Sequence, residues 1–310
     1  MKNITPHQYG KVAVLMGGRS GEREISLSSG KAVLNALREA NVDAHPIDVK
    51  EDTLNQLMLE QYDRVFIALH GCGGEDGTMQ GALETLSIPY TGSGVMASSI
   101  CMNKIVTKQL WLAEGISTPN YEVVCEQSSY AQLAKKLGHV FIIKPSKEGS
   151  SLGIHKVTNE SEYRLAVIEA SQHEGQLIAE QWVAGREYTV AILNQQTLPV
   201  IRLVTTNQFY DYEAKYQSND TQYLIPCGLS VEQEQQLQAD ARRAFTATGA
   251  QGWGRVDVMI DDDNCSWMLE VNTVPGMTDH SLVPMAAASI DINFTSLVLQ
   301  ILATSFEVKN

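Results

Sequence analysis

Asp257, Glu270 and Asn272 lie in two β-rich runs, GWGRVDVMI and CSWMLEVN, which are separated by the turn sequence DDDN at Asp261 to Asn264. If a four-residue loop pairs Ile260 with Cys265, strand alternation sorts the side chains into two faces. One face carries Val256, Val258, Ile260, Trp267, Leu269 and Val271. The other carries Arg255, Asp257, Glu270 and Asn272, together with Met259 and Met268, which could lie against a purine ring. Two carboxylates and an amide oxygen on one face suit a hard cation such as Mg2+, which prefers oxygen ligands and shares them with substrate phosphates. A solvated polar face balanced by Arg255 is the plainer alternative.

Three further segments could carry chemistry. The run IIKPSKEGSSLGI, Ile142 to Ile154, puts Lys144 at a strand end and follows it with Gly149, Ser150, Ser151 and Gly153. Glycine lets backbone N–H groups approach phosphate oxygens, hydroxyls add donors and lysine adds a point charge, so this reads as a phosphate-covering flap or else as a Gly/Ser surface loop. It lacks the GxxxxGK[ST] spacing of a Walker loop. HGCGGEDGTMQG, His70 to Gly81, follows the strand RVFIAL at its carboxyl end, where open α/β sheets bind ligands; a tight turn with a structural histidine is the alternative. GGRSGERE, Gly17 to Glu24, also joins strand to helix, but it lacks GxGxxG and carries Glu22, which would repel a pyrophosphate. Glu22 suits a substrate ammonium, or is an exposed capping carboxylate.

These segments need elements to hold them. KVAVLM (Lys11 to Met16), DAHPID (Asp43 to Asp48) and RVFIAL (Arg64 to Leu69) alternate with helical spacing, the mark of a parallel sheet with crossover helices. Ile25, Leu27, Val33, Leu34 and Leu37 predict the first helix, with Ser26, Ser28 and Ser29 as candidate caps. From Lys104 a smaller unit follows: a helix through Glu114, a strand near Tyr121 to Cys125, a helix near Ser128 to Leu137 and a strand at His139 to Lys144. Beyond Arg186 come strands Glu187 to Leu193 and Leu198 to Val204, a polar stretch from Thr205 to Asn219, and a helix from Val231 to about Thr248. The hairpin and a final helix, Phe294 to Ser305, complete the order.

The 310 residues exceed one typical domain, and 44% hydrophobic with 19% charged residues supports a real core. A formal charge of −13 argues against nucleic acid or an anionic membrane as partner, so an anionic ligand must meet local cations. The start, MKNITPHQYGK, has no apolar signal core, and no run reaches the length of a membrane span, which predicts a cytoplasmic protein. The five cysteines lack zinc-site spacing and are expected to be reduced and mostly structural.

Taken together, GGRSGEREISLSSG, HGCGGEDGTMQG, Met102-Asn103-Lys104, IIKPSKEGSSLG, EQWVAGREYTV, YDYEAKY, GWGRVDVM and LEVNTVPGMTDHS resemble, in order and spacing, the D-alanine–D-alanine ligases of the ATP-grasp superfamily. The resemblance implies an α/β chain with a three-domain ATP-grasp fold. Residues 1–102 would form an amino-terminal parallel-sheet substrate domain; residues 103–187 and 188–310 would form two α+β domains gripping ATP. It implies that Lys104, Lys144, Ser151 and Lys215 contact phosphates, that Glu180, Gln181, Trp182 and Val183 line the adenine beside Met259, and that Glu187 binds the ribose. Asp257, Glu270 and Asn272 would hold two Mg2+ ions, with Mn2+ able to substitute. Glu22, helped by His70, would hold the ammonium of the first D-alanine, while Ser281 and Leu282 meet the carboxylate of the second. Arg255 and the backbone of Gly276 would face the developing oxyanion, and Tyr216, Ser150 and Glu22 would be linked by hydrogen bonds. Cys72 and Gln181 depart from the family's usual residues, and Met1 to Gly10 has no reading.

The implied reaction joins two D-alanines through an acyl phosphate, for peptidoglycan precursor synthesis, in a homodimer. An acyl phosphate hydrolyses, so loops such as Lys147 to Gly153 and Thr205 to Asn219 should close over it. The rivals are a D-alanine–D-lactate ligase or another carboxylate–amine ligase on the same fold, and a non-catalytic nucleotide-binding module. Tyr216 within YEAKY favours the dipeptide, and the presence of Asp257, Glu270, Asn272 and the three lysines favours an enzyme.

Overall fold

The computed structural model describes residues 4–149, 153–205, 221–278 and 280–307. Three sheets organise it. The first is parallel, built from β1 (Lys11–Gly17), β2 (Asp43–Val49) and β3 (Arg64–Ile67) in the order β2-β1-β3. Val12, Ala13, Val14 and Leu15 of the central strand are wholly buried, the continuous apolar run expected of a parallel strand covered on both faces.

The second sheet has the order β4-β7-β5-β6, from β4 (Tyr121–Val123), β5 (Phe141–Pro145), β6 (His155–Val157) and β7 (Leu177–Gln181). Helices Tyr130–Leu137 and Glu160–Ala170 cover the face that carries Phe141, Ile143, Leu177 and Ala179. Alternation therefore sends Ile142, Lys144 and Glu180 to the opposite face, where Ile142 stands across from Glu180.

The third sheet comprises β8 (Gly185–Leu193), β9 (Gln196–Thr197), β10 (Ile201–Val204), β11 (Gln222–Leu224), β12 (Trp253–Asp261) and β13 (Ser266–Asn272). Its path is β11-β10-β8-β12-β13, with β9 paired to β8. Helix Val231–Ala247 packs Leu237, Ala241 and Phe245 against Tyr188, Val190, Val256 and Val258. Its start is fixed by a capping box in which Ser230 and Gln233 bond reciprocally. The uncovered face carries Glu187, Thr189, Arg255, Asp257 and Met259, with Thr189 opposite Asp257.

The chain then returns to its beginning. Helices Leu282–Ala288 and Phe294–Ala303 bury Val283, Leu297, Val298 and Ile301 in the same core as the first sheet. The amino-terminal segment without a sequence reading joins them: Tyr9 ends a 3-10 turn, is buried, and donates its hydroxyl to Leu299 O at 3.3 Å.

Three expectations need correction. The hairpin loop pairs Ile260 with Ser266, not Cys265, because Asp261 Oδ1 accepts from Asp263 N and Cys265 N. The register also shifts beyond Asp257, so Val258 faces Met268 while Leu269 is the extra, bulged residue. Met268 is therefore in the core, and Leu269, not Met268, joins Met259 at the cavity. The local cause is the segment docked on this edge, where Met268 N donates to Ser117 O and Met268 O accepts from Thr118 Oγ1. Finally, the first helix is Arg23–Glu39 with Glu22 at its N-cap, so the candidate capping serines lie inside it. Ser26 accepts from Gly17 N and donates to Ala68 O, stitching β1 to the end of β3. Of the cysteines, Cys101 and Cys227 are buried, whereas Cys72, Cys125 and Cys265 are exposed.

Candidate active site

A cavity of about 360 Å3 opens between the uncovered faces of the second and third sheets. Lys104, Lys144, Glu180, Gln181, Trp182, Val183, Glu187 and Met259 all line it, as do Asp257 and Glu270. Apolar walls come from Ile142, Ile154, Leu203 and Leu269, so an aromatic base could be gripped while charge gathers at one end. Gln181 is tied to Asn120 through its backbone N–H and its side-chain oxygen, and Lys156 lies 4.1 Å over the Trp182 ring.

The lysines are held by carboxylates. Lys104 starts helix Lys104–Ala113 behind an Asn103 side chain that accepts from Ile105 N and Val106 N. Its ammonium lies 3.1 Å from Glu270 and donates to Glu148 O at 2.7 Å. Lys144 donates to Glu180 Oε1 at 2.6 Å. A residue not singled out in the sequence, Lys108, meets Glu180 Oε2 at 2.6 Å and is wholly buried. Burial pushes the Glu180 carboxyl up, but the two ammonium groups outweigh it and hold the group below its ordinary range. Lys108 follows Lys104 by four positions, one turn along the same helix face, which was the available signal.

At the third sheet, Arg255 clasps Asp257 in a two-pronged bond, Nε to Oδ1 at 2.8 Å and a terminal nitrogen to Oδ2 at 2.7 Å. Thr189 Oγ1 and Asn272 Nδ2 also donate to this carboxylate. Asp257 stands directly across from Glu270, and Arg255 across from Asn272. Among the described residues, no three His, Cys, Asp or Glu side chains form a self-sufficient metal cage. Two opposed carboxylates at the cavity wall, with an amide on the same sheet face, nevertheless fit a hard cation that completes its shell with ligand oxygens.

The second cluster sits at the carboxyl end of the parallel sheet. Glu22 is buried, and a Cβ added at Gly71 or Gly149 would lie 2.8 or 2.9 Å from its Oε2, so two glycine loops close on this carboxylate. His70 is buried; its Nδ1 lies 2.9 Å from Val274 O and its Nε2 3.1 Å from Ser29 Oγ. Burial pushes its pKa down, leaving a neutral ring. A carbonyl only accepts, which places the ring proton on Nδ1 and makes Nε2 the acceptor from Ser29. Ser29 Oγ in turn accepts from Met277 N. His70 and Ser29 thus anchor the loop that carries Gly276, where an added Cβ would lie 2.9 Å from Ser281 Oγ. Ser281 accepts from Thr278 N at 2.8 Å and is the N-cap of helix Leu282–Ala288, whose Leu282 is buried.

Glu75, also not singled out, completes this frame. Its two oxygens accept from Gly71 N at 2.7 Å and Val274 N at 3.2 Å. Burial, reinforced by Glu22, pushes its pKa up to about 8. The folded state therefore holds this proton where an unfolded glutamate has lost it, a stabilisation fully present below pH ~4.5 and lost as pH rises towards 8. Thermal unfolding is expected at progressively lower temperature from pH 5 to pH 8.5, and Glu75→Gln should flatten that slope. An equal slope in the variant would contradict the assignment.

Gly71 has φ +69°, so Gly71→Ala meets both backbone strain and the Glu22 carboxylate. If Glu22 holds the ammonium that the family resemblance assigns it, its displacement should raise the KM for the amino-acid substrate about tenfold with little change in nucleotide KM. Equal effects on both constants would show a general loss of folding. Ser150, Ser151, Lys215 and Tyr216 lie outside the described residues, as does most of the stretch Thr205 to Asn219.

A parallel sheet set beside two antiparallel sheets that enclose a cavity of lysines and carboxylates is the architecture of the ATP-grasp ligases. The amino-terminal model of D-ala D-ala ligase matches residues 11–57 and 50–93, and the carboxy-terminal model matches residues 110–303. The D-alanine–D-alanine ligase of Ectopseudomonas mendocina is 53% identical over 99% of this chain and 98% of its own. D-alanine–D-alanine ligase B of Pseudomonas syringae pv. tomato is 54% identical over 99% and 96%. The crystal structure of D-alanine–D-alanine ligase from Bacillus anthracis superposes with a TM-score of 0.86 at 32% identity, covering 96% of this chain and 97% of that one. The chain belongs to the D-alanine–D-alanine ligase family.

Proposed function

We propose that this chain ligates two D-alanine molecules with ATP, forming D-alanyl-D-alanine, ADP and phosphate for peptidoglycan precursor synthesis. The observation that carries this reading is the juxtaposition of two sites: the buried Glu22 frame, and the lysine- and carboxylate-lined cavity, whose wall residue Glu148 precedes the Gly149 that lies close against Glu22. ATP occupies the cavity, with its base between Ile142, Met259 and Leu269 near Gln181 to Val183, its ribose at Glu187 and its phosphates towards Lys104 and Lys144. A Bacillus anthracis relative of 29% identity has been solved with ATP.

Glu22 holds the ammonium of the first D-alanine, and His70 acts through the loop it anchors. The carboxylate of that D-alanine attacks the γ-phosphorus and ADP leaves. The amine of the second D-alanine, its carboxylate held near Ser281 and Leu282, attacks the acyl phosphate and expels phosphate as the amine loses its proton. Arg255 and the backbone of Gly276 stabilise the oxyanion of that second step, and no covalent enzyme intermediate is required. Asp257, Glu270 and Asn272 would hold two Mg2+ ions, or Mn2+, which when bound neutralise phosphate charge. Ser150, Ser151, Lys215 and Tyr216 take the flap and lid roles that the family pattern assigns them.

The division into residues 1–102, 103–187 and 188–310 is supported by one sheet falling largely in each, although β8 begins at Gly185 and the last helices return to the first core. Among the described residues no helix is long and apolar enough to cross a membrane. A cytoplasmic homodimer is the assembly and location in keeping with this reaction. The test is ADP release with ATP and Mg2+, comparing D-alanine, L-alanine and no amino acid. Release that depends on D-alanine is expected; release indifferent to the amino acid would refute the reading.

A further inference from the structure

Lys108 does not line the cavity, yet it holds a residue that does. Its ammonium is ion-paired with Glu180 Oε2 at 2.6 Å and donates to Thr118 Oγ1 at 2.6 Å and Pro119 O at 3.3 Å. Glu180 shares its two oxygens between two lysines, Oε2 with Lys108 behind the wall and Oε1 with Lys144 at the cavity. Lys104 and Lys144 are the nearby like charges, and the Tyr121 ring lies 5.9 Å from the Lys108 ammonium.

This arrangement poses an electrostatic problem for nucleotide binding. Glu180 and a bound phosphate compete for the one Lys144 ammonium, and a buried carboxylate left without any counter-ion is strongly destabilised. We propose that Lys108 is a positioning residue that stays paired with Glu180 and so releases Lys144 from the carboxylate to the triphosphate. Lys108 is fixed by its two other acceptors and does not line the cavity, whereas Lys144 lies on the cavity wall. Burial lowers the Lys108 pKa to about 8, offset by Glu180, in keeping with a charge that the carboxylate itself retains.

The inference rests on the reading of the cavity as the ATP site, and the test separates the two. Binding of ATP and of adenosine is measured by calorimetry on the full chain with Mg2+ and no amino acid. Lys108→Met lowers ATP affinity about tenfold or more, because Lys144 becomes the sole partner of Glu180, and leaves adenosine within about twofold of wild type. Lys108→Arg, which keeps the charge, retains more of the ATP preference. In a Glu180→Gln background, Lys108→Met no longer changes the ATP-to-adenosine ratio, since no anion remains to trap Lys144. Should Lys108→Met fail to fold, Lys108→Gln, which removes the charge but keeps donors for Thr118 and Pro119, carries the same comparison in both backgrounds. Equal losses for both ligands, or a ratio still shifted in the Glu180→Gln background, would overturn the proposal. Wild type that fails to bind ATP would instead overturn the assignment of the cavity.

Discussion

Replacing Glu270 by Gln is expected to lower kcat about a hundredfold or more, the rate equivalent of about 3 kcal/mol of lost charge stabilisation, with the fold intact. Glu270 faces Asp257 across the hairpin and pairs with Lys104 at 3.1 Å, and the substitution weakens its proposed hold on the Mg2+ that would neutralise phosphate charge. The opposite side of the hairpin, with Val256, Val258 and Val271 in the core, is untouched, and thermal unfolding should shift little. The Mg2+ concentration needed for half-maximal activity should rise as well. Near-normal turnover at limiting Mg2+ would remove Glu270 from the metal-binding set.

The second large effect is expected at Arg255. Its fork holds both oxygens of Asp257 at 2.8 and 2.7 Å, and its proposed task is to stabilise the oxyanion formed when the second amine attacks. Arg255→Met should reduce kcat about 10²–10³-fold, the usual cost of a lost oxyanion donor, with KM for ATP changed far less. Arg255→Lys should recover only a small part, since one ammonium cannot reproduce two parallel bonds to a carboxylate. Asp257 keeps Thr189 and Asn272 as donors, so the loss should be catalytic before it is structural. A variant with normal kcat and raised ATP KM would place Arg255 in nucleotide binding alone.

Much of this arrangement is legible in the residues because period-two alternation is a local property. Asp257, Glu270 and Asn272 fall on one sheet face as the pattern requires, and the three early strands pair in parallel as their spacing implies. What escaped was set by contacts distant in sequence. The bulge that sends Met268 to the core and Leu269 to the cavity arises because Ser117 and Thr118 bond the Met268 backbone, and nothing within the hairpin announces them. Lys108 reads as an ordinary helix lysine until Glu180, 72 positions on, is placed beside it. Glu75 sits in a glycine-rich turn where an acidic residue looks solvated, yet it bridges Gly71 to Val274 in a part-buried frame. Ser29 resembles a cap in sequence and instead joins His70 to Met277.

The central claim, that the carboxylate of one D-alanine is activated by phosphorylation before the other attacks it, is tested most directly with D-alanine labelled with 18O in its carboxylate. Attack on the γ-phosphorus places one labelled oxygen in the acyl–phosphate bridge, and expulsion of phosphate by the second amine carries that oxygen away. Mass spectrometry of the released phosphate should therefore show one 18O for each dipeptide formed, with the peptide carbonyl retaining the other. Unlabelled phosphate accompanying dipeptide would contradict the account.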